Sequence, residues 1–451
     1  MCRPNPLLCS RRFLSLIAAL LFCRAAFADT SLPTSLWSFY QQARENDPVY
    51  AEARARYESA QEKLPQGRAA ILPTLSLTGT SYSQDRKVLD PESPGIHYPS
   101  RQYGLALSQP LFRWQNWLQY HQGGLQVAQA EAEFSHARQD LILRVTQAYF
   151  DVLLAEETVR LLNAQKSAID EQLARAKAYF EAGTVTVTDT HEAQSRHDLT
   201  SAQLIAANSD LAVKRAALQM LMGNVVDALV PLKASSALIQ PDPSEMEPWV
   251  KAAETQSPQV QMRAAGAEIA QYEASKQQAG HLPTVDLVAS VTHAHDLTFV
   301  SSGFGVADVG QRTVGIQLSI PLFQGGQTSS RAREAAAQHM AALASLESAR
   351  RQAAQIARQT YLGVVNGLAQ IKALEAAQTS SELALDASKV GYEVGVRVGL
   401  DVLNAEQQLQ NTRRDLVKAR LDTLLAQLRL KAAVGTLNEA DLQMLADRFG
   451  P

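Results

Sequence analysis

Cysteine is confined to the first 23 positions of this 451-residue chain: Cys2, Cys9 and Cys23 are the only three. They fall within residues 1–28, which read as a secretory leader. Arg3, Arg11 and Arg12 form its basic part, Phe13 to Phe22 its apolar part, and Ala26-Phe27-Ala28 a small-x-small cleavage site. A lipid-bearing Cys23 is the alternative, and the large Phe22 before it argues against that. Beyond the leader no disulfide, thiolate metal site or thiol nucleophile is available. An apolar run of about 18 residues is also missing there, which excludes helical membrane spans. No basic block occurs. The leader holds four of the 42 Lys and Arg and no acid, leaving 38 bases against 45 acids. Nucleic acid is therefore not an expected partner.

Motifs for chemistry are absent too. There is no phosphate-cradling G-x-x-x-x-G-K-[ST] loop, no dinucleotide fingerprint and no serine elbow. His293 and His295 stand two apart with His281 near, but no third ligand is evident. No enzyme, cofactor or metal is expected. Proline, finally, is missing from Trp114 to Ala182 and from Gln327 to Val394, and nothing there interrupts a helix.

What is present is a duplication. Asn46-Asp47-Pro48 answers Gln256-Ser257-Pro258, Leu72-Pro73-Thr74 answers Leu282-Pro283-Thr284, and Pro110-Leu111-Phe112 answers Pro321-Leu322-Phe323, at offsets of 210 to 212. Both long proline-free stretches carry seven-residue apolar registers. Val145, Val152 and Val159 are one, and Val364, Ile371 and Leu385 another. Such heptads predict coiled-coil packing. About 69 residues at 1.5 Å rise give roughly 100 Å of helix, which must project as a rod or join others in a wall.

Each long helix ends at a glycine followed six residues later by an aspartate: Gly183 and Asp189, Gly395 and Asp401. A glycine stops a helix by taking the left-handed C′ conformation, and polar residues before the next helix cap it. Each stretch reads as the tip of an antiparallel hairpin. Near the second tip, Asp386 and Glu382 lie a turn apart on one side of the helix. Repeated around an axis, such carboxylates would form a ring that repels anions and binds cations. Single exposed acids are the plainer alternative.

Four segments alternate apolar and small polar residues around Leu75–Thr78, Tyr103–Ser108, Val285–Thr292 and Val314–Ile320. Four strands of about ten residues follow, joined by loops at Gln84–Ser100 and Asp296–Gly310. A half-buried soluble sheet shows the same alternation; the leader and the absence of spanning helices favour outer-membrane strands. Four strands cannot close a barrel, and open edges in lipid are costly. Two copies would give eight strands, and three would give twelve with a lumen. Pro110 and Pro321 are expected to end the second strand of each pair. Aromatic residues flank the strands: Tyr82, Tyr98, Phe112, Trp114, Trp117, Phe299, Phe304 and Phe323.

The expected fold class is an internally duplicated α+β membrane protein, with strands for a shared β-barrel and long coiled-coil helices for a periplasmic α-barrel. Its expected divisions are 1–28 leader, 29–69 first N-terminal helices, 70–113 first strand pair, 114–223 first hairpin, 224–257 linker, 258–281 second-repeat helix, 282–324 second strand pair, 325–435 second hairpin and 436–451 tail.

Several of these residues carry a family resemblance: Gln41-Gln42-Ala43-Arg44, Gln109-Pro110-Leu111-Phe112, Pro321 through Gly326, Gly391-Tyr392-Glu393-Val394-Gly395 through Asp401-Val402-Leu403, and Ala432 through Leu437. Over residues 30–440 the chain resembles the TolC family of trimeric outer-membrane channels. The resemblance implies a homotrimer in Gram-negative outer-membrane lipid, with a twelve-stranded barrel and a periplasmic tunnel of twelve helices. It implies a periplasmic adaptor and an inner-membrane ABC or proton-driven transporter as partners. Adaptor docking maps to Gly183, Thr184, Val185 and Asp189, and to Gly395, Val396, Arg397 and Asp401. The family's constriction maps to Asp386. Its second aspartate is replaced by Leu383 with Glu382 beside it, and its tyrosine–arginine latch by Leu374 and Thr379. The implied function is an exit duct for secreted protein or small molecules. A periplasmic coiled-coil adaptor without a barrel is the alternative, and it would not need the paired strands.

Overall fold

The computed structural model describes residues 35–87, 95–183, 186–223, 229–231, 240–300 and 303–449. The leader with its cysteines, Thr184, Val185, residues 224–228 and 232–239 of the expected linker and the side chains of Phe299 and Phe304 lie outside the described residues.

Three helices precede the first strands: α1 (Leu36–Asn46), α2 (Pro48–Gln61) and α3 (Lys63–Ala69). Local chemistry sets their starts. Ser35 Oγ accepts from the Ser38 amide at 3.3 Å. Asp47 accepts from the Tyr50 amide at 3.0 Å, with Pro48 at the first helical position. Strands β1 (Thr74–Arg86) and β2 (Ile96–Phe112) follow, then the 68-residue helix α4 (Trp114–Glu181) and its return α5 (Val187–Met222). The second repeat runs α6 (Met246–Gln256), α7 (Pro258–Gln278), β3 (Thr284–Val300), β4 (Gly303–Ser319), the 67-residue α8 (Gln327–Glu393) and α9 (Gly399–Val434). Both return helices have 36 residues and both end at a left-handed glycine, Gly223 (φ 74°) and Gly435 (φ 81°). A last helix, α10 (Glu439–Ala446), closes the chain.

Each return helix covers only the tip half of its long partner. The other half is covered by the helices before the strands: α2 and α3 pack on α4, and α7 packs between α4 and α8. Below it, α9 also touches both α4 and α8. The helices thus form a layer of rods side by side, leaving α5 at one edge and α8 at the other. Where return and upstream helices meet lies the principal core, with Leu36, Phe39, Tyr40, Tyr149, Leu442 and Phe449 buried together. The Tyr149 hydroxyl donates to the Val230 carbonyl at 2.8 Å. Within residues 224–257 stands helix α6, and beyond residue 436 the side chains of Leu437, Leu442, Leu445 and Phe449 complete the core. Short segments like these bury few residues each, so their periodicity is weak while their packing is not.

The four strands form one antiparallel sheet in the order β1-β2-β3-β4. They are longer than ten residues: 13 in β1 and 17 in each of the others. Pairing persists through the stretch read as a loop at 296–310, as in Thr298 with Gly305. The sequence there is rich in Gly, Ser and Asp because the hairpin end is polar, which hides the alternation without breaking the ladder. Pro110 does not end its strand. It pairs with Asp286 at a bulge before Phe112, beyond the last β1 partner, Ser108. With no β1 neighbour at that level and an irregular ladder on the other side, a missing N–H is tolerated. Pro321 falls two residues past the end of β4.

The two sheet faces differ sharply. One carries Leu75, Leu77, Leu105, Val291, Val314, Ile316 and Leu318, all at least 39 % exposed in the single chain. The other carries Thr74, Ser76, Thr78, Ser108, Thr284, Ser290, Thr313 and Gln317. Tyr82 and Tyr98 lie on this polar face, and Tyr98 is buried with its hydroxyl on Gln84 at 2.7 Å. Phe112, Trp114, Trp117 and Phe323 are exposed where strands become helices.

Candidate functional site

The two hairpin tips close by different local devices. At the first, Gly183 takes φ 72° and Thr186 caps α5: its hydroxyl accepts from the Asp189 amide while Asp189 accepts from the Thr186 amide at 3.0 Å. At the second, Gly395 takes φ 75°, and the amides of Val396 and Arg397 both donate to the Gly391 carbonyl at 2.9 and 3.0 Å. Asp401 accepts from the Val398 amide at 3.4 Å. Val398 has no acceptor side chain, so this cap is only half a box. Gly391 leaves room for the Arg397 side chain: a Cβ there would stand 2.9 Å from Arg397 Cγ, so the arginine would have to shift.

Between the tips lies an open groove of about 720 Å³. Arg175 and Tyr179 of α4, Asp189 and Glu192 of α5, and Tyr392, Gly395, Arg397 and Leu403 of the second hairpin face it. Asp189, Gly395 and Arg397 are thus brought together. Gly183 and Val396 lie outside the groove, Val396 fully on the surface, and Asp401 is occupied with its helix start. Sequence reading missed Arg175, Tyr179, Tyr392 and Leu403 as groove residues. The two tyrosines ending both long helices were the available signal.

Just above the tips, Glu382 and Asp386 part company. Glu382 accepts from Arg413 of α9 at 2.9 Å and from Gln378 at 3.0 Å. The Arg413 bond holds its carboxyl below the usual range. Seven residues away on each helix, Arg420 binds Glu375 at 2.8 Å. Glu382 is therefore a strut between α8 and α9, one heptad from the next. Asp386 is exposed and makes no hydrogen bond or ion pair among the described residues. Leu374 packs beside Ile371 and Leu416, and Thr379 bonds its own helix, so neither forms a latch. A link between the hairpins comes from Arg196 on α5, which donates to Gln407 at 2.9 Å and Asn404 at 3.0 Å on α9. Sequence reading did not find it, because its acceptors are neutral and over 200 residues away.

The histidines noted in the sequence have partners in the sheet. His293 stacks on Tyr103 and His295 bonds Asp308 at 2.8 Å. Among the described residues no group of three metal-ligating side chains occurs.

Comparison with known proteins accords with this geometry. A family profile described as outer membrane efflux protein matches twice, at residues 39–224 and 249–436, following the duplication. The chain is 31 % identical to the outer membrane protein TolC of Escherichia coli, over 93 % of this chain and 86 % of that one. It is 32 % identical to the proteases secretion protein PrtF of Dickeya chrysanthemi, over 91 % and 90 %. The crystal structure of the outer membrane protein VceC from Vibrio cholerae superposes with a TM-score of 0.75, at 21 % identity, over 90 % and 99 %. With both of its repeats matched and its four-strand, two-hairpin fold shared, the chain belongs to the outer membrane efflux protein family of TolC-like channels.

Proposed function

We propose that three copies of this chain form a passive, gated exit duct across the outer membrane and periplasm. One observation carries the reading. The sheet has one apolar and one small-polar face and two edges that pair with no strand among the described residues, so it is a sector of a barrel with lipid outside and water inside. The helices support it. Edge helix α5 exposes Leu199, Ala206, Val213 and Met220, and edge helix α8 exposes Leu362, Ala369, Ala376, Leu383 and Val390, each at seven-residue spacing. Exposed heptad stripes at opposite edges favour a neighbour of the same kind on each side. Twelve strands would leave a lumen, where eight would not. No bond is made or broken; the path is a wet conduit, and α8 and α9 repack to open it.

The tip groove is the docking place for a periplasmic adaptor, which links the duct to an energised inner-membrane transporter. Tyrosine walls, an apolar floor at Leu403 and charges of both signs suit the end of a helical hairpin. The names of relatives, protease secretion among them, support secreted polypeptide as a cargo, and small molecules fit the same conduit.

Cell fractionation with detergent extraction tests the reading. A heat-sensitive trimer in the outer membrane is expected. A soluble periplasmic monomer would end it in favour of an adaptor-like protein.

A further inference from the structure

We propose that neighbouring copies of this chain are clasped just below the sheet by two crossed ion pairs, Arg333 of one copy with Glu62 of the next, and Glu334 with Lys63. The proposal rests on the three-copy reading above and names the residues of its joint. In the half of the helical layer nearer the sheet the order is α3, α4, α7, α8, since α3 packs on α4 and α7 lies between α4 and α8. The junction of α4 with α7 joins the two repeats inside one chain. The equivalent junction at the edges joins α8 to α3 of the next copy. The first is therefore a template for the second.

The template maps by residue number. Helices before the strands correspond at an offset of 210, as Pro48 with Pro258, and the long helices at 212, as Tyr149 with Tyr361. Contacts follow these offsets. Asn116 bonds the Ala70 carbonyl, and its counterpart Thr328 lies against Gly280, where an added Cβ would stand 2.9 Å from Thr328 Cγ2. At the junction inside the chain Gln122 donates to Glu273 at 2.9 Å, and His121 stacks on Tyr272 with ring centroids 5.8 Å apart. The counterparts of Gln122 and Glu273 are Glu334 and Lys63, and those of His121 and Tyr272 are Arg333 and Glu62. An amide–carboxylate bond and a ring stack thus become two ion pairs of opposite polarity. Further from the sheet, Gly266 lies against Gln129, with an added Cβ 3.9 Å from Gln129 Nε2. Their counterparts are Arg56 and Ala341, so large and small exchange sides and the combined bulk stays matched.

Glu62, Lys63, Arg333 and Glu334 are all exposed in the single chain, whereas Gln122 is buried. Among the described residues none of the four has an ion-pair partner, and Glu334 accepts only from Gln338, at 3.3 Å. Below the sheet these charges face water, not lipid, and stay solvated until the copies meet. Opposite polarity also fixes register, because a slip of one residue sets Arg333 against Lys63 or Glu334 against Glu62.

The test uses the absence of cysteine beyond Cys23. Hydrogen-bonded side chains hold their Cβ atoms too far apart for a disulfide, so Lys63→Cys with Glu334→Cys is treated with a short bismaleimide and boiled in denaturing detergent. Covalent dimer and trimer are expected, and each single-cysteine variant should run as monomer. A native trimer of the double variant that yields no covalent product, or coupling by either single variant, overturns the clasp. Failure of the wild type to form a trimer overturns the duct reading instead. Charge reversal reads the same joint independently. At about twofold per exposed pair and six pairs in a closed ring, Glu62→Arg with Lys63→Glu should lower the trimer assembly constant roughly 60-fold. Adding Arg333→Glu and Glu334→Arg reverses both sides and should restore most of it. An unaffected double reversal, or a quadruple variant no better than the double, overturns the clasp.

Discussion

Arg144→Ala makes the sharpest energetic test of the fold. Arg144 projects from α4 onto Asp47, the cap of α2, with Nη2 to Oδ2 at 2.7 Å, and onto Asp140 at 2.6 Å. The Asp47 side chain is only 3 % exposed and that of Arg144 29 %. Burial alone pushes the Asp47 carboxyl up; bonds from Arg144 and from the Tyr50 amide outweigh it, and the group titrates below 3.8. Removing one partner of a buried pair costs about 3–5 kcal/mol. Partial exposure of Arg144 and the surviving Tyr50 bond reduce this to about 2–3 kcal/mol. At roughly 2.1 cal/mol/K per residue, a 451-residue chain unfolds with an entropy of about 0.9 kcal/mol/K, so the melting temperature should fall by about 2–3 °C. Thermal melts of the purified trimer, followed by helical circular dichroism, measure this. The folded-state pKa of Asp47 is depressed, so the pair stabilises above the unfolded value of 3.8 and its contribution is lost as pH falls through the folded value. At pH 3 the penalty of Arg144→Ala should therefore shrink. Adding Asp47→Asn at pH 7 should cost less than the sum of the single changes. A variant that melts with the wild type at pH 7, or a penalty undiminished at pH 3, refutes the reasoning.

Three further outcomes concern the tips. Gly395→Glu places a side chain at φ 75° with no atom within 4 Å of its Cβ, so it costs only about 1–2 kcal/mol locally; trimers should assemble and export should fail, and normal export would count against docking there. Arg196→Ala removes two charge-assisted bonds between the hairpins, worth about 1–2 kcal/mol together, and should raise the basal conductance of reconstituted channels roughly five- to thirtyfold; unchanged conductance removes Arg196 as a link. Asp386→Asn should abolish channel block by multivalent cations, whereas Glu382→Gln should leave it largely intact because Glu382 is committed to Arg413; equal effects from both would refute the distinction.

How much of this was legible in the sequence depends on how regular each feature is. The long helices were, because heptads persist across α4 and α8 and no proline interrupts them. The tip glycines were, because a left-handed residue after a helix leaves little choice. Strand length was not: alternation marks only the band that meets lipid, and β3 and β4 continue past it on Gly, Ser and Asp. Pro110 misled because its exclusion from a ladder assumes neighbours on both sides. The tip groove was half legible. Asp189 and Arg397 came from the family resemblance at the tips, but Arg175 and Leu403 reach it only through the packing of separate helices.

The duplication also predicts where neighbouring chains would join. Across the two repeats Asp85 corresponds to His295, and His97 to Asp308, at offsets of 210 and 211. The cross-strand pair is kept while its members exchange places, so the contact, not the residue, is what both repeats need. At the seam between repeats the opposite holds. There Arg113 clasps Asp286 with two bonds, at 2.8 and 2.6 Å, across β2 and β3. The residues corresponding to this pair at the same offsets are Gln324 and Ser76, which would face each other between β4 of one copy and β1 of the next. Both are neutral. A charged pair split between copies would leave each chain with an unpaired charge beside its barrel edge until assembly, a cost the seam within one chain never meets. Ser76→Asp alone should therefore lower the yield of heat-sensitive trimer, and Gln324→Arg added to it should restore most of that yield by forming the clasp between copies. If Ser76→Asp assembles normally, or if Gln324→Arg deepens its defect, these two positions do not face each other across the junction of neighbouring chains.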